Sequence, residues 1–348
     1  MASMLERLRP ESVWYAESPI MRRISALLAP LGWLYCGLSS LRAQAYGYAL
    51  LRTESPGVPV IVVGNLTVGG TGKTPLAIWL VEHLRHRGLR PGLATRGYGG
   101  KHNGVHLVSP DADPSCYGDE PVLLAKRAGC PVVVGRDRAA AAQLLANAQG
   151  CDLIVTDDGL QHYPLRRDIE ILVVDGTRGF GNGRCLPAGP LREPLTRASR
   201  VDLTIVNLGS NAEHAQWATD AAMCMLLLPG DAVNLQDERQ SRALSGFRDQ
   251  SITAVAGIGN PSRFFAMLRQ HGLHIIERAF PDHYRFSAKD LARLSQGPVL
   301  MTEKDAVKCR IWASKEHWYV PVRAQPDAAF ILALDSILET RLARAQRL

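Results

Sequence analysis

From residue 58 onward, short apolar runs alternate with longer stretches in which apolar residues recur at helical spacing. The short runs predict strands at Val58–Val63, Pro91–Thr95, Pro131–Val134, Asp152–Thr156, Ile169–Val174 and Asp202–Val206. The stretch Pro75–Arg87 predicts a helix with an apolar face formed by Leu76, Leu80, Val81 and Leu84. Continuous Val and Ile runs that alternate with helices are typical of a parallel sheet covered on both faces. The pattern therefore predicts an α/β fold.

A second, smaller α/β series follows in the C-terminal half of the chain. Its predicted elements are Ser251–Ala256, a helix over Pro261–Gln270, His274–Ala279, a helix near Ala288–Leu294, and Pro298–Met301. Polar and glycine-containing sequence around Leu208–Gln216 predicts a joint between two domains, and Ala328–Arg344 predicts one amphipathic helix. We expect an N-terminal helical segment at 1–50, a first domain at 51–207, a second at 208–327 and a C-terminal helix at 328–348.

The N-terminal segment contains eighteen consecutive uncharged residues, Ile24 to Leu41. This length is at the lower limit for a membrane-spanning helix, and Pro30 weakens that interpretation. A signal peptide is not predicted, since the run begins late and lacks a small-residue cleavage site. A packed helix, a marginal span and an interfacial helix all remain open. Flanking arginines, with an aromatic pair inside the run, favour a segment that lies on anionic lipid: Arg22, Arg23, Arg42, Arg52, Trp33 and Tyr35.

Composition narrows the class of partner. The 348 residues are 46% hydrophobic and 21% charged, which indicates a globular protein and excludes a disordered one. The net charge of +7 suits an anionic partner, but aromatic residues are only 6% and no basic run interleaves them, which argues against nucleic acid. The seven cysteines form no Cys-x-x-Cys pair, so a reducing compartment fits better than a disulfide framework or zinc site.

A glycine-rich loop follows the first predicted strand. It matches the phosphate-loop pattern G-x-x-x-x-G-K-[ST] except at its first position, and it comprises Thr67, Val68, Gly69, Gly70, Thr71, Gly72, Lys73 and Thr74. Its glycines allow backbone N–H groups to surround phosphate oxygens at a helix N-terminus. Lys73 would reach the β- and γ-phosphates, and Thr74 would bind Mg²⁺. A plain glycine-rich turn is the alternative, but the flanking strand and helix favour a P-loop NTPase-like fold that binds nucleotide.

Two features favour ATP over the nucleotide-switch classes. ATPases that position cargo often carry an extra lysine before the double glycine, where this chain has Val68. Guanine-specific loops use Asn-Lys-x-Asp, and the nearest stretch, Thr302–Asp305, has another order. We therefore expect ATP.

Paired aspartates end the strand predicted at Asp152–Thr156. Asp157 and Asp158 stand where a parallel sheet presents its ligands, so a carboxylate there would serve Mg²⁺. Asp-Asp-Gly is also common turn chemistry, and the sequence does not choose which aspartate meets the metal.

Two further acidic stretches are candidates for proton transfer. Asp119 precedes Pro121, so it is either a helix cap or the carboxylate that accepts a hydroxyl proton. His283 follows Pro281-Asp282, a setting in which a histidine is usually structural. Arg136 and Arg138 follow a predicted strand end and could contact phosphate or pair with Asp137.

As an ordered set, these motifs closely resemble the tetraacyldisaccharide 4′-kinases, which act in lipid A assembly at the inner membrane. The resembling segments cover most of the chain from 58 to 305: Val62–Pro75, Thr95–Gly99, Tyr117–Pro121, Gly135–Arg138, Thr156–His162, Pro187–Pro194, Phe280–Tyr284 and Thr302–Asp305. Thr67 in place of the first loop glycine also resembles this family.

The resemblance implies transfer of the ATP γ-phosphate to the 4′-hydroxyl of an acylated glucosamine disaccharide 1-phosphate, giving lipid IVA. It implies that Asp119 activates the hydroxyl and pairs with His283, and that Asp157 and Asp158 serve Mg²⁺. The other residues that it implies line the site are Arg136, Arg138, Gln161, His162, Arg192 and Glu193. It further implies a peripheral or monotopic protein at the cytoplasmic face of the inner membrane.

Other functions use the same phosphate loop. A membrane-associated ATPase switch would hydrolyse ATP without a lipid acceptor and would respond to a protein partner, for which no obligate candidate is evident. A ligase would need a carboxylate or amine acceptor, and the sequence carries no signature for one. The extra acidic and histidine motifs favour the kinase.

Overall fold

The computed structural model describes residues 10–15, 18–210, 222–294 and 297–345. Within these residues, nine strands form the larger sheet, in the order β15-β8-β7-β6-β1-β5-β2-β4-β3. Its strands are β1 Val60–Gly64, β2 Pro91–Thr95, β3 Val105–Leu107, β4 Val132–Gly135, β5 Leu153–Asp157, β6 Ile169–Asp175, β7 Leu203–Asn207, β8 Cys224–Pro229 and β15 Val322–Pro326. All neighbours are parallel except the β3–β4 and β8–β15 pairs at the two edges. The predicted α/β fold with a parallel sheet is confirmed.

Helices lie on both faces of this sheet, and the central strands β1, β2, β4, β5 and β6 are therefore buried along their whole length. The helices of this part are α1 Pro10–Tyr15, α2 Pro19–Gly47, α3 Lys73–His86, α4 Pro114–Tyr117, α5 Asp119–Arg127 and α6 Arg138–Ala148. On α3, the predicted apolar face of Leu76, Leu80, Val81 and Leu84 is fully buried. The β5 and β7 strands extend one residue beyond their predicted ends, so polar Asp157 and Asn207 belong to the sheet.

Six strands form the second sheet within the described residues, in the order β10-β9-β14-β13-β11-β12. They are β9 Ala232–Asn234, β10 Ser241–Arg242, β11 Ser251–Ala256, β12 His274–Ala279, β13 Val299–Thr302 and β14 His317–Val320. Its helices are α7 Pro261–Gln270, α8 Ala288–Leu294 and α9 Glu303–Cys309. The β11, β12, β13 and β14 neighbours pair in parallel, which agrees with the second α/β series predicted from the sequence.

The structure corrects the expected extent of the second domain. Strands β8 and β15 were both placed in it by the range 208–327, yet β8 pairs with β7 and β15 pairs with β8 in the first sheet. The sequence could not reveal this because the β8–β15 pairing joins residues nearly a hundred positions apart. The C-terminal helix, α10 Ala328–Ala345, buries Phe330, Leu334 and Leu338 in the core of the first sheet. Most of the predicted joint, residues 211–216, lies outside the described residues.

The α2 helix has two faces of different character. Ser25, Ala29 and Gly32 are buried, and Ser25 Oγ donates a hydrogen bond of 2.7 Å to the carbonyl of Ala188. A Cβ at Gly32 would lie 2.9 Å from the carbonyl oxygen of Cys185, so the small residue permits this close packing. The opposite face leaves large side chains exposed: Leu27, Leu31, Leu34, Leu38 and Leu41. Among the described helices, this one alone has the length and mean hydropathy, 1.5, to span a membrane.

Candidate active site

The phosphate loop joins β1 to α3 as the sequence predicts. Gly72 caps α3 with a left-handed backbone, φ 93°, a conformation that glycine adopts at little cost. A Cβ there would lie 2.3 Å from Asn207 Nδ2, which donates a 2.8 Å hydrogen bond to the carbonyl of Thr71. Glycine is therefore required at position 72 by both the backbone and its neighbour.

The remaining loop residues are anchored on both sides. Thr67 forms a β-bridge with Leu191, and the N–H of Val68 donates to the carbonyl of Pro190 at 2.9 Å. Lys73 Nζ lies 3.2 Å from Asn65 Oδ1 and 3.7 Å from Asp158 Oδ1. The ammonium of Lys73 is thus held at the loop by two groups that a phosphate could replace. Loop residues Gly69, Gly70, Thr71 and Gly72 connect these anchors.

Thr74 and Asp157 form the candidate metal site. Thr74 Oγ1 donates to Asp157 Oδ2 at 2.9 Å, while the buried Asp157 Oδ1 has no hydrogen-bond partner in the described structure. Burial, together with the nearby carboxylate of Glu120, raises the pKa of Asp157 to about 7, and a bound cation would remove this penalty. The described residues contain no cluster of three or more His, Cys, Asp or Glu side chains suited to a metal. A single carboxylate beside a threonine hydroxyl fits Mg²⁺, which keeps waters and phosphate oxygens as its other ligands.

Asp158 has a different environment from its neighbour. Its backbone is left-handed, φ 55°, and Arg192 Nη1 lies 2.9 and 3.0 Å from its two carboxylate oxygens. Burial alone would raise the pKa of Asp158, but Lys73 and Arg192 hold it well below its usual range. Arg138 Nη2 donates to the backbone carbonyl of Asp158 at 2.8 Å. Asp158 therefore interacts with the basic side chains of Lys73 and Arg192, whereas Asp157 faces the Thr74 hydroxyl.

Arg136 and Arg138, the two arginines predicted from the strand end, lie in different environments. Arg138 is buried, and desolvation lowers its pKa to about 10 although Asp158 opposes the change. Arg136 is exposed. Neither pairs with Asp137 through a hydrogen bond, because the Asp137 carboxylate caps α6 by accepting from the N–H groups of Ala139 and Ala140.

A polar network lies between Asp158 and the α2 helix. Gln161 Nε2 donates at 3.1 Å both to the carbonyl of Asn65 and to Glu193 Oε2, and Tyr163 donates its hydroxyl to the same Glu193 carboxylate. The ring of Tyr163 stacks on Tyr46 of α2 with centroids 5.8 Å apart. His162 is half-buried, and desolvation with Arg138 and Arg167 nearby lowers its pKa to about 4, so it is neutral at pH 7.

Asp119, on α5 beside the first sheet, contacts His283, which follows β12 of the second sheet. His283 Nδ1 lies 3.0 Å from each Asp119 carboxylate oxygen, and Asp119 is buried at the start of α5. Burial alone would raise the pKa of Asp119, but the His283 hydrogen bond and Lys304 hold it below its ordinary value. Burial would lower the pKa of His283, but the Asp119 contact raises it. The ring of Tyr98 packs against His283 with centroids 4.8 Å apart.

Several residues of this region were not singled out from the sequence. Arg178 Nη2 donates to the carbonyl of Gly70 at 3.0 Å and its Nη1 to the carbonyl of Gly259 at 3.4 Å, so it ties the phosphate loop to the second sheet. Arg263 of α7 lies 2.8 Å from Asp175 at the end of β6. Asp175 could have been predicted as a site residue from its position at the end of a strand. No local pattern identifies the arginines, because their partners are distant in sequence.

Comparison with known proteins shows the family of this chain. Residues 24–339 match the family profile of LpxK, the tetraacyldisaccharide-1-P 4′-kinase. The tetraacyldisaccharide 4′-kinase of Nitrosococcus oceani is 49% identical over 333 residues, which cover 94% of this chain and 93% of that protein. The enzyme of the same name from Stenotrophomonas maltophilia is 49% identical over 328 residues, with 94% and 95% coverage.

A solved structure agrees as well. The crystal structure of LpxK from Aquifex aeolicus in complex with ATP superposes with a TM-score of 0.75 at 27% identity, covering 91% of this chain and 99% of that one. The profile match and both relatives extend over nearly the whole chain. The chain belongs to the tetraacyldisaccharide-1-phosphate 4′-kinase family.

Proposed function

We propose that this protein transfers the γ-phosphate of ATP to the 4′-hydroxyl of a tetraacyldisaccharide 1-phosphate, forming lipid IVA in lipid A biosynthesis. The observation that carries the proposal is the Asp119–His283 pair, which connects the two domains close to the phosphate loop. A nucleotide switch needs the loop but has no use for a buried carboxylate paired with an imidazole. Family membership supports the same acceptor.

The chain's own residues would divide the work as follows. The loop from Thr67 to Thr74 surrounds the phosphates, and Lys73 leaves Asn65 and Asp158 to meet the β- and γ-phosphates. Thr74 and Asp157 would hold Mg²⁺, and Asp158 would position the basic side chains of Lys73 and Arg192 beside them. When bound, Mg²⁺ neutralises charge on the phosphates.

Phosphoryl transfer then requires removal of one proton. The 4′-oxygen forms a bond to the γ-phosphorus as the bond from that phosphorus to the bridging oxygen of ADP breaks. Asp119 accepts the proton of the hydroxyl, and His283 stabilises the carboxylate in the correct orientation. Arg138, Arg192 and the neighbouring Gln161, His162 and Glu193 would line the acceptor side, with Arg136 at the exposed margin.

The α2 helix supplies the membrane contact in this proposal. Its small-residue face docks on the protein near Ala188, and its leucine face points outward, an arrangement suited to a helix lying in the lipid interface. The acyl chains of the substrate would remain in the bilayer while the sugar enters the site. We place the protein on the cytoplasmic face of the inner membrane, where ATP is available.

An acceptor assay tests the proposal. The full chain is incubated with ATP, Mg²⁺ and the disaccharide lipid in mixed micelles, and incorporation of labelled phosphate is followed. The proposal expects lipid phosphorylation and little ATP hydrolysis without lipid. Rapid hydrolysis in the absence of lipid, with no labelled lipid product, would instead support the membrane-associated ATPase switch.

A further inference from the structure

Lys304 lies between the two halves of the candidate active site. It is the second residue of α9, and its side chain is only 15% exposed. Lys304 Nζ is 2.9 Å from Glu120 Oε1, on the first sheet's α5, and 3.2 Å from Asp282 Oδ1, after β12 of the second sheet. The ammonium therefore bridges two carboxylates carried by different domains.

Both of these carboxylates are next to the paired residues in sequence. Glu120 follows Asp119, and its backbone N–H donates to Asp119 Oδ1 at 2.9 Å. Asp282 precedes His283, and Asp282 Oδ1, the same oxygen that Lys304 contacts, accepts from the backbone N–H of His283 at 3.0 Å. Each of the two residues that Lys304 contacts is thus hydrogen-bonded to one member of the pair, Glu120 to Asp119 and Asp282 to His283.

His283 needs such support because its backbone is left-handed. Its φ is 59°, a conformation that costs free energy for a residue other than glycine unless neighbouring bonds maintain it. The region is also rich in like charge, since Asp119, Glu120 and Asp282 converge on it. Burial alone would lower the pKa of Lys304, but these three carboxylates raise it, so the ammonium stays charged.

We propose that Lys304 is a positioning residue that holds Asp119 and His283 together by bridging Glu120 and Asp282. The proposal deepens the proposed function and depends on it. The hydrogen bonds of Lys304 go to Glu120 and Asp282 and not to Asp119 or His283. It therefore acts on the pair through these two carboxylates. The residue belongs to the Thr302–Asp305 stretch, which resembles the kinase family but to which the resemblance assigns no role.

The α9 helix has other anchors, so removal of the ammonium need not displace it. Glu303 pairs with Arg127 of α5, and Asp305 Oδ2 accepts from the N–H of Gly257 at 2.8 Å. Thr302 caps the helix by accepting from the N–H of Asp305. The side chains of Glu120 and Asp282 are 31% and 35% exposed, so water can solvate both when Lys304 is replaced.

The first experiment measures kinetics of the full chain with the disaccharide lipid and ATP. Lys304→Met should lower kcat about 10²-fold with little change in the KM for ATP, because misplacing a catalytic pair by about 1 Å costs that much. Lys304→Arg should recover a large part of the loss, because its fork can meet both carboxylates. Lys289→Met, on the exposed surface of α8, is the matched control and should behave as the unaltered chain.

A second comparison separates bridging from direct action on the reacting groups. In the Glu120→Gln, Asp282→Asn background, Lys304→Met should cost no more than about threefold, because its partners are already neutral. An equal 10²-fold loss in that background would overturn the bridging role. So would unchanged kcat for Lys304→Met in the otherwise unaltered chain.

A crystal structure of Lys304→Met provides a readout independent of activity. The inference expects separation of His283 Nδ1 from the Asp119 carboxylate, which are 3.0 Å apart in the unaltered chain. Retention of that contact would overturn it. Failure of the unaltered chain to phosphorylate the lipid would count against the proposed function, and the structural comparison would still decide the role of Lys304.

Discussion

His283 Nδ1 lies 3.0 Å from both carboxylate oxygens of Asp119, although Asp119 begins α5 beside the first sheet and His283 follows β12 of the second. The contact makes the candidate base dependent on the relative position of the two domains. A reaction that requires this pair can proceed only when the two domains are together.

Replacing Asp119 should abolish proton acceptance while leaving ATP bound. We expect Asp119→Asn to lower kcat about 10³-fold, within the range of general-base catalysis, with unchanged ATP affinity. His283→Gln should lose less, and the double variant should lose no more than Asp119→Asn, since the two act as one unit. Steady-state kinetics and ATP titration calorimetry check this. Additive losses would contradict the paired role.

The stabilising effect of the pair should depend on pH. The pKa of Asp119 is lowered and that of His283 is raised, so the ion pair contributes fully between about 4 and 6.5, the ordinary values of the two groups. The contribution is lost at lower pH as Asp119 protonates, and at higher pH as His283 deprotonates through its raised pKa.

The measurement is a comparison of denaturant unfolding for the unaltered chain and His283→Gln. The difference in free energy of unfolding should be about 1 kcal/mol near pH 6 and should decline toward pH 9. A difference that grows with pH would contradict the assignment of a raised pKa to His283. Lys289→Met serves as a control whose difference should not vary with pH.

Two glycines of the phosphate loop should differ sharply in tolerance of alanine. Gly72 has φ 93° and a Cβ there would lie 2.3 Å from Asn207 Nδ2, whereas a Cβ at Gly70 would meet nothing within 4 Å. Without nucleotide, Gly72→Ala should destabilise the protein by about 2 kcal/mol and Gly70→Ala by much less. Thermal unfolding checks the difference, and equal losses would argue against the described cap of α3.

The leucine face of α2 should determine membrane binding. Replacing Leu31, Leu34 and Leu38, which are 55%, 61% and 59% exposed, with serine should reduce partition onto anionic liposomes at least about tenfold. Leu332→Ser is the control, since Leu332 is 70% exposed on α10. Sedimentation with liposomes measures binding. Unchanged partition of the triple variant would remove the membrane role from this face.

The sequence predicted local features well because they depend on neighbours along the chain. The apolar runs located the strands around the phosphate loop to within one or two residues, and the helices α7 and α8 begin and end as predicted. The juxtaposition of Asp119 and His283 followed from family resemblance and not from spacing. It is a contact across 164 positions, for which the local pattern carries no information.

Long-range pairing explains most of what the sequence did not reveal. Strands β8 and β15 were assigned to the second domain because their residues lie beside it in the chain, yet they extend the first sheet. The partners of Arg178 and Lys304 could not be predicted for the same reason. Asp157 and Asp158 were predicted as a pair, but their different surroundings arise from Thr74 of α3 and from Arg192, which lie in other segments of the chain.

The pairing of β8 with β15 also concerns how the protein is assembled from parts. Pro229 and Val322 are register partners, so the chain leaves the first sheet and re-enters it at adjacent points. Everything from Ala232 to Val320 is thus an insertion into one edge of an otherwise continuous sheet. A short turn could join the two strands and close the sheet without it. The kinase can accordingly be viewed as a nucleotide-binding module that holds a second module, the one that carries His283, between the two strands of a single hairpin.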